Sequence, residues 1–244
     1  MPDSILFTSL YNYEDIEQAY TDMFMRVGNI VSQFYSRANK VEKIVLCITG
    51  KDNFKKKLSD TYKANRKPTE LSSKVSELKK LLWTRLNGYN FKGTLIDTKI
   101  QIVSSSIYEA DEIVLYLNKY KNYYIASIDS DIHLASTNQV FNYKKFEFTS
   151  LRTERELNRS QIIQSISGNH NNVSGIKGKG IKFADKFLSD GVTFGEYVDL
   201  FDSNEEMLLM NRLVSTLQFD SNFKLKLLEV EDIESMFINA VSGF

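Results

Sequence analysis

The sequence KIVLCI at residues 43–48 decides the fold class, because a single lysine is followed by five consecutive apolar residues. A continuous apolar run of this length is typical of a strand that is buried on both faces of a parallel sheet. Further strands are predicted at Ile5–Phe7, at Thr94–Ile96 or Ile100–Val103, and at Tyr123–Ile128.

Apolar residues at helical spacing separate these runs and predict helices at Glu14–Arg37, Ser72–Leu86 and Ala110–Leu117. Strands that alternate with helices imply an α/β layer with right-handed crossovers. After about residue 150, the strands are replaced by a glycine-rich turn and by helical patterns at Glu156–Ser165, Lys182–Phe187 and Glu205–Leu217. We therefore predict an α/β domain over residues 1–150 and a helical lobe over residues 151–244.

The composition excludes several kinds of site. The 244 residues include one cysteine and two histidines, so an internal disulfide, a cysteine zinc cage and a histidine-rich metal site are all excluded. A metal here would be a hard ion with oxygen ligands. No apolar run approaches the roughly 20 residues of a membrane span, and the first residues do not resemble a secretory signal. We expect a cytoplasmic, intracellular protein with no membrane partner.

A basic segment, DNFKKKLSDTYKANRK, occupies residues 52–67 and holds six basic residues against two acidic ones. The aromatic residues Phe54 and Tyr62 are interleaved with these cations. Cations follow a nucleic-acid backbone and aromatic rings stack on bases, so the segment favours nucleic-acid binding although the net charge of the chain is zero. The alternative is a solvated basic helix.

Two acidic motifs follow. EADE at residues 109–112 opens a predicted helix, where acids also serve as simple caps. DSD at residues 129–131 directly follows a predicted strand, and ligands bind at the carboxyl ends of strands in an α/β sheet. Two carboxylates at this spacing can converge on one ion; alternatively, an aspartate caps the next helix.

A glycine-rich turn, SGIKGKGIK, spans residues 174–182. Its glycines permit a close backbone approach, and a helix that begins near Ile181 would direct free N–H groups at a phosphate. The lysines of the motif add positive charge. The alternative is a flexible connecting loop.

Taken in this order, the motifs resemble those of the flap endonuclease / 5′→3′ exonuclease family, particularly its short phage-type and bacterial members, from about residue 44 to residue 217. Phe54-Lys55 followed by YKANRK at 62–67 is similar to the family's arch, and GIKGKGIKFA at 175–184 is similar to its helix–three-turn–helix motif. The resemblance implies a PIN-like parallel sheet flanked by helices, a helical arch at about residues 52–70 and a C-terminal DNA-binding lobe around residues 175–182.

The resemblance also implies a site in which carboxylates hold Mg²⁺ or Mn²⁺. Glu109 and Asp111 correspond to ligands of a first ion, and Asp129 and Asp131 to ligands of a second. Lys63 and Arg66 correspond to the residues that steer and polarise the scissile phosphate. A K⁺ ion at the glycine-rich turn is implied as well. The DNA-binding residues implied are Lys55, Lys56, Tyr62, Lys67, Gly175, Gly178, Lys179, Gly180 and Lys182.

The sequence departs from the family at three places where the family carries acids. Thr8 stands at the expected end of the first strand, Thr49 follows the strand at 44–48, and Asn169–Asn172 contain no acid. Because a divalent ion depends on negative charge to offset its dehydration, we expect weakened metal binding, with one ion rather than two.

Three hypotheses follow. The first is an active structure-specific nuclease that cuts DNA near a 5′ end or flap. The second is a catalytically impaired relative that binds branched or 5′-ended DNA without cleaving it. The third and weakest is a related ribonuclease of the same α/β sheet type; the arch and the glycine-rich turn favour DNA, or an RNA:DNA hybrid duplex, as the partner instead.

Overall fold

The computed structural model describes residues 2–38, 41–50, 52–64, 70–92, 97–169, 173–215 and 218–241. The helices are α1 (Pro2–Asn12), α2 (Ile16–Ala38), α3 (Phe54–Leu58), α4 (Glu70–Leu86), α5 (Ala110–Lys121), α6 (Ser130–Ala135), α7 (Glu154–Ser167), α8 (Ile181–Ser189), α9 (Phe194–Val198), α10 (Asn204–Val214) and α11 (Val230–Val241). The strands are β1 (Lys43–Thr49), β2 (Asn90–Lys92), β3 (Asp97–Ser105), β4 (Ile125–Ala126), β5 (Val140–Asn142), β6 (Glu147–Phe148), β7 (Gly168–Asn169) and β8 (Val173–Ser174).

The fold is α/β, as the apolar run at 43–48 predicted. β1 pairs with β3 in parallel over seven residues, from Lys43 opposite Lys99 to Thr49 opposite Ser105, and β2 pairs with β3 antiparallel. A second three-stranded sheet has the order β4-β5-β6, with a parallel and an antiparallel pair. The described strands before residue 150 therefore form two small mixed sheets.

Helices cover both faces of the first sheet. On one face, α1, α2 and α4 form an apolar core with β1 and β3, centred on the fully buried Leu6, Leu78 and Leu82. On the other face, α5 packs on β1 and β3 through Ile113 and Tyr116. This three-layer arrangement explains why β1 is apolar from Ile44 to Ile48, since both of its faces contact helices.

The expectation of a strand at Ile5–Phe7 is wrong, because α1 covers these residues. Ile5, Leu6, Ser9 and Leu10 are all buried, and this spacing places them on one face of a helix. The apolar run at 5–7 is therefore the start of a longer helical stripe. Thr8 consequently lies on an exposed helical surface rather than at the end of a strand.

The longer helical predictions are confirmed, with ends that differ by a few residues: α2, α4, α5, α7, α8 and α10 all form where the periodicity placed them. After residue 150, α7, α8, α9, α10 and α11 enclose a second core around the fully buried Tyr197 and Phe237. The only strands described there form the short β7–β8 hairpin. Across the described ranges, no helix combines the length and apolar character that a membrane crossing requires.

The 23-residue helix α2 contacts both sheets. Its first half contributes Met23 and Val27 to the core of the first sheet. Near its end, the Phe34 ring makes edge-to-face contacts with three rings around the second sheet, those of Tyr124, Phe141 and Phe148, each at 5.6 Å between centroids. The helix therefore fixes the second sheet beside the first.

We predict that Phe34→Ala lowers the free energy of unfolding by about 2–3 kcal/mol, because it removes three aromatic contacts from a partly buried position. Urea denaturation followed by circular dichroism measures the loss. Met25→Ala on the same helix is the control, since Met25 is 60% exposed and its change should stay within about 0.5 kcal/mol. Equal losses in the two variants would contradict the bridging role of Phe34.

Candidate active site

β1 and β4 both lead to a cleft of about 1010 Å³. Thr49, the last residue of β1, lines it together with Gly50, and Ile128–Asp131 line it just after β4. The opposite wall comes from α7 and from Asn169 in β7. Because the carboxyl ends of parallel strands are the usual ligand-binding edge of an α/β sheet, this cleft is the candidate site.

The EADE motif forms the start of α5 beside the end of β1. The Ala110 amide donates a hydrogen bond to Thr49 Oγ1 at 3.2 Å, and the Glu109 amide donates one to Glu112 Oε2 at 2.8 Å. The acids therefore do cap the helix, which was the simpler reading of the motif. Capping does not withdraw them from the cleft, because Glu109 and Asp111 both line it.

The Glu109 carboxylate accepts hydrogen bonds from three side chains of the basic segment. Asn53 Nδ2 and Lys63 Nζ donate to Oε1, the former at 3.1 Å, and the Tyr62 hydroxyl donates to Oε2 at 2.9 Å. Lys63 adopts a left-handed backbone conformation with φ of 58°, which turns the chain back towards Glu109. The segment after α3 is thus fastened to the start of α5 by one carboxylate.

These donors determine the charge state of Glu109. Burial by itself would raise the pKa of this carboxyl group, but the positive charges of Lys63 and Lys55, with the hydrogen bonds from Lys63 and Tyr62, outweigh it. The net pKa of Glu109 is therefore lower than usual. The carboxylate stays ionised and holds Lys63 at the edge of the cleft.

Lys55 and Glu112 form a second, deeper ion pair. The two side chains are 3% and 1% exposed, and Lys55 Nζ lies 3.4 Å from Glu112 Oε1. That oxygen has no hydrogen-bond partner among the described residues, so the attraction is electrostatic only. Burial raises the pKa of Glu112 more than Lys55 lowers it. Lys55 is thus buried against Glu112 at the wall of the cleft rather than exposed as the sequence indicated, and its contact with DNA stays a prediction.

Tyr62 also lies inside rather than on the surface. Tyr62 is only 5% exposed, and its hydroxyl donates a hydrogen bond to the Glu109 carboxylate. A ring in this position is not presented for stacking on a base, which was its expected role. Of the other basic residues that were expected to contact DNA, Lys56 is exposed on α3. Arg66 and Lys67 lie outside the described residues.

The aspartates of both acidic motifs lie in the same part of the cleft. Burial raises the pKa of Asp111, and the negative charges of Asp129 and Glu109 raise it further. Asp129 Oδ1 accepts a hydrogen bond from the Asp131 amide at 2.9 Å and so caps α6, as the alternative reading of DSD held. Since Asp111 and Asp129 both line the cleft, α5 and the turn after β4 direct their carboxylates into the same space.

Asn169, at one of the positions where the sequence lacks an acid, contacts this group directly. Its Nδ2 donates a hydrogen bond to Asp131 Oδ2 at 3.2 Å. The amide thus partners a carboxylate without adding a charge. Among the described residues, no three acidic, histidine or cysteine side chains are close enough together to form a ready metal cluster.

The glycine-rich turn connects β8 to α8, which begins at Ile181 as expected. A Cβ on Gly175 would lie 2.1 Å from the Ser167 carbonyl carbon, so only glycine allows the turn to pass this close to the end of α7. Gly178 has φ of 79°, and Gly180 caps α8 without a side-chain hydrogen bond. Lys182 is exposed, while Lys179 Nζ lies 4.1 Å from the centre of the Phe183 ring.

Asn53 and Thr49 are the site residues whose roles sequence reasoning missed. Asn53 Oδ1 accepts a hydrogen bond from the Lys56 amide at 2.9 Å, so it caps α3 while its amide group contacts Glu109. An asparagine before a basic run is a recognisable N-cap signal, and it was available in the sequence. No comparable signal marks Thr49, whose hydroxyl contact depends on the position of α5.

No protein-family model matches the chain, and no curated protein matches it in sequence, so the functional argument rests on the contacts described above.

We predict that Lys55→Met lowers the free energy of unfolding at pH 7 by about 3–5 kcal/mol, because it leaves the Glu112 carboxylate buried without its counter-charge. The double variant Lys55→Met/Glu112→Leu should recover most of this loss. Chemical denaturation of the wild type and the single and double variants measures both effects.

The control for this experiment is Lys145→Met. It removes the exposed ion pair between Lys145 and Glu147 and should cost at most about 0.5 kcal/mol. A double variant that is no more stable than Lys55→Met would contradict the view that the unpaired charge causes the loss.

We predict that Glu109→Gln destabilises the protein by about 1–3 kcal/mol at pH 7, because Lys63 loses its ionic partner. A carboxyl whose folded-state pKa is lowered contributes stability above its unfolded pKa, and this contribution disappears as the pH falls through the folded value. The difference between wild type and variant should therefore shrink below about pH 4. Urea denaturation at pH 7 and pH 3.5 tests this, and a difference that is constant with pH would contradict it.

Proposed function

We propose that this chain is a structure-specific 5′ nuclease that hydrolyses DNA phosphodiesters near 5′ ends or flaps with the help of a divalent metal. The observation that carries the proposal is the proximity of Asp111 and Asp129, from two different motifs, in one cleft at the ends of β1 and β4. The basic segment reaches the same cleft through Lys63 and Lys56. Carboxylates beside cations suit a phosphodiester substrate.

The oxygen donors that line the cleft are of the chemical type that a hard cation takes, although no three of the described acids lie close enough together to hold an ion as they stand. Asp111, Asp129 and Asp131 offer carboxylate oxygens, and the Asn169 side chain adds a carbonyl oxygen. Oxygen ligands of this kind suit Mg²⁺ or Mn²⁺. Because three donors already engage the Glu109 carboxylate, fewer carboxylates are left for a metal, and we therefore propose one ion rather than two. A bound ion supplies an activated water and offsets the charge of the phosphate.

In this proposal the chain's own residues divide the remaining tasks. Lys63 attracts the scissile phosphate, and Glu109 positions Lys63 at the edge of the cleft. Lys56 is exposed beside it and contributes long-range attraction. Burial is the main cause of the raised pKa of Asp111, and the negative charges of Asp129 and Glu109 add to it; a bound cation would offset those charges. The sheets and their helices then correspond to a PIN-like core, and the segment around α3 to the base of an arch that includes Arg66 and Lys67.

The glycine-rich turn is the proposed binding site for the DNA duplex. The amides at the start of α8 have no side-chain cap at Gly180, and the exposed Lys177 and Lys182 stand beside them. A helix start with nearby cations suits a DNA phosphate, with a K⁺ ion as an additional bridge. Such a contact fixes the position of the duplex without reading its sequence.

A second candidate function is DNA binding without cleavage. Two contacts favour it: Glu109 is already occupied by Asn53, Tyr62 and Lys63, and Asp131 contacts a neutral amide of Asn169. Both reduce the charge that is available to a metal. In this alternative, binding would not require a metal and would weaken steeply with salt.

We predict that the purified protein with Mn²⁺ cleaves a 5′-labelled flap duplex, and that Asp129→Asn lowers the rate about 100-fold. Asparagine caps a helix as well as aspartate does, so the variant removes the charge while α6 keeps its cap. Glu154→Gln is the matched control, because Glu154 also lines the cleft but lies at the start of α7, and its rate should stay within about twofold.

The alternatives give different results in the same assay. No cleavage by the wild type, together with a salt-sensitive gel shift by wild type and Asp129→Asn alike, would contradict the nuclease proposal and favour the binding function. If the wild type does cleave, the cleavage rates of matched DNA, RNA:DNA hybrid and RNA flaps identify the substrate. Faster cleavage of the RNA flap than of the DNA flap would favour the ribonuclease hypothesis.

A further inference from the structure

An apolar cavity of about 620 Å³ lies between the two sheets, and we call it the strand slot. Residues 41–47, most of them in β1, form one side, and residues 122–126, which lead into β4, form the other. Val27 and Val31 of α2 close one face, and Val114 and Leu117 of α5 close the opposite one. The slot is partly open to solvent, and its volume corresponds to about 20 water molecules.

Both strands that border the slot are edge strands. Within the described residues, β1 pairs only with β3, and β4 pairs only with β5. An edge strand is normally short, charged or interrupted by proline, since its unpaired backbone groups invite association. β1 is instead seven residues long, with the apolar sequence of a central strand. Its sequence is suited to a position between two neighbours, yet it has only one.

The two strands also run in the same direction. β1 begins beside the slot at Lys43 and ends in the cleft at Thr49. β4 likewise begins beside the slot, and the chain then enters the cleft at Ile128. An added strand that runs parallel to both would therefore face an open edge on either side.

We propose that the strand slot binds an extended segment of about five apolar residues from a separate polypeptide, aligned parallel to β1 and β4. An apolar small molecule would fill the space but would leave the backbone groups of both edges unpaired. A peptide strand fills the space and pairs both edges. The proposal does not depend on the chemistry of the cleft.

The charge around the slot specifies the start of the segment. A parallel strand would enter beside the beginnings of β1 and β4, where the exposed Lys43 and Lys121 lie with a single acid, Glu42. These two cations complement acidic residues that directly precede the apolar run. The expected partner sequence is thus acidic and then apolar.

The probe is a fluorescein-labelled peptide, DDIVLVI, with an amidated C-terminus. We expect saturable binding to the full chain by fluorescence anisotropy, and slower amide hydrogen exchange at residues 43–47 and 122–126 when the peptide is bound. The same peptide with methylated backbone nitrogens should bind at least about tenfold more weakly, because it cannot donate the strand hydrogen bonds. The sequence KKIVLVI should bind about threefold more weakly, because it reverses the charge.

Val114→Trp fills the slot from α5 and should reduce binding about tenfold. Leu151→Trp is the control, since Leu151 is 67% exposed and is not part of the slot wall. Circular dichroism establishes that both variants are folded, and the methylated peptide gives a test on the unaltered protein.

Three outcomes would overturn the proposal. They are the absence of saturable binding by DDIVLVI, equal affinity for the methylated peptide, and binding that leaves hydrogen exchange at both edges unchanged. The second would show that the slot accepts apolar groups without strand pairing. Cleavage of the flap substrate is measured separately, so a failure of the nuclease proposal is distinguishable from a failure of this one.

Discussion

The hydrogen bonds to the Glu109 carboxylate are the interactions on which the organisation of the cleft depends. Glu109 stands at the start of α5. The amide of the next residue, Ala110, donates a hydrogen bond to Thr49 at the end of β1. From this position its two oxygens hold Asn53, Tyr62 and Lys63. One side chain thus connects the sheet, the helix and the basic segment. Because a buried carboxylate is costly when its oxygens lack partners, each of these donors is constrained as well.

The two sides of Glu109 differ in whether their charges are balanced. Towards the interior, Lys55 balances Glu112 in a pair that water does not reach. Towards the cleft, Asp111 and Asp129 repel each other, and Asp131 has the neutral Asn169 as its partner. The interior pair affects the stability of the fold, because removing one member would leave the other as a buried, unpaired charge. The repulsion in the cleft concerns ligands, because a cation would relieve it.

The strands β1 and β4 connect this cleft to the strand slot. Each strand has an open edge beside the slot and then leads into the cleft. A strand added in the slot would therefore run towards the cleft. The layers that would cover such a strand are already in place, since α2 and α5 close the two faces of the slot. The slot and the cleft therefore lie at opposite ends of the same two strands.

The sequence by itself determined the features that depend on neighbouring residues. The apolar run at 43–48 predicted β1, and helical spacing predicted α2, α4, α5 and α7, because periodicity reflects which face is buried. The acids at 109–112 and 129–131 were recognised as candidate site residues. The tertiary structure alone decided where long-range partners meet. Lys55 and Tyr62 are buried because Glu112 and Glu109, about 50 residues away along the chain, face them. Ile5–Phe7 became helical because α2 and α4 supply a face on which a helix can pack, and no local pattern reveals such a partner.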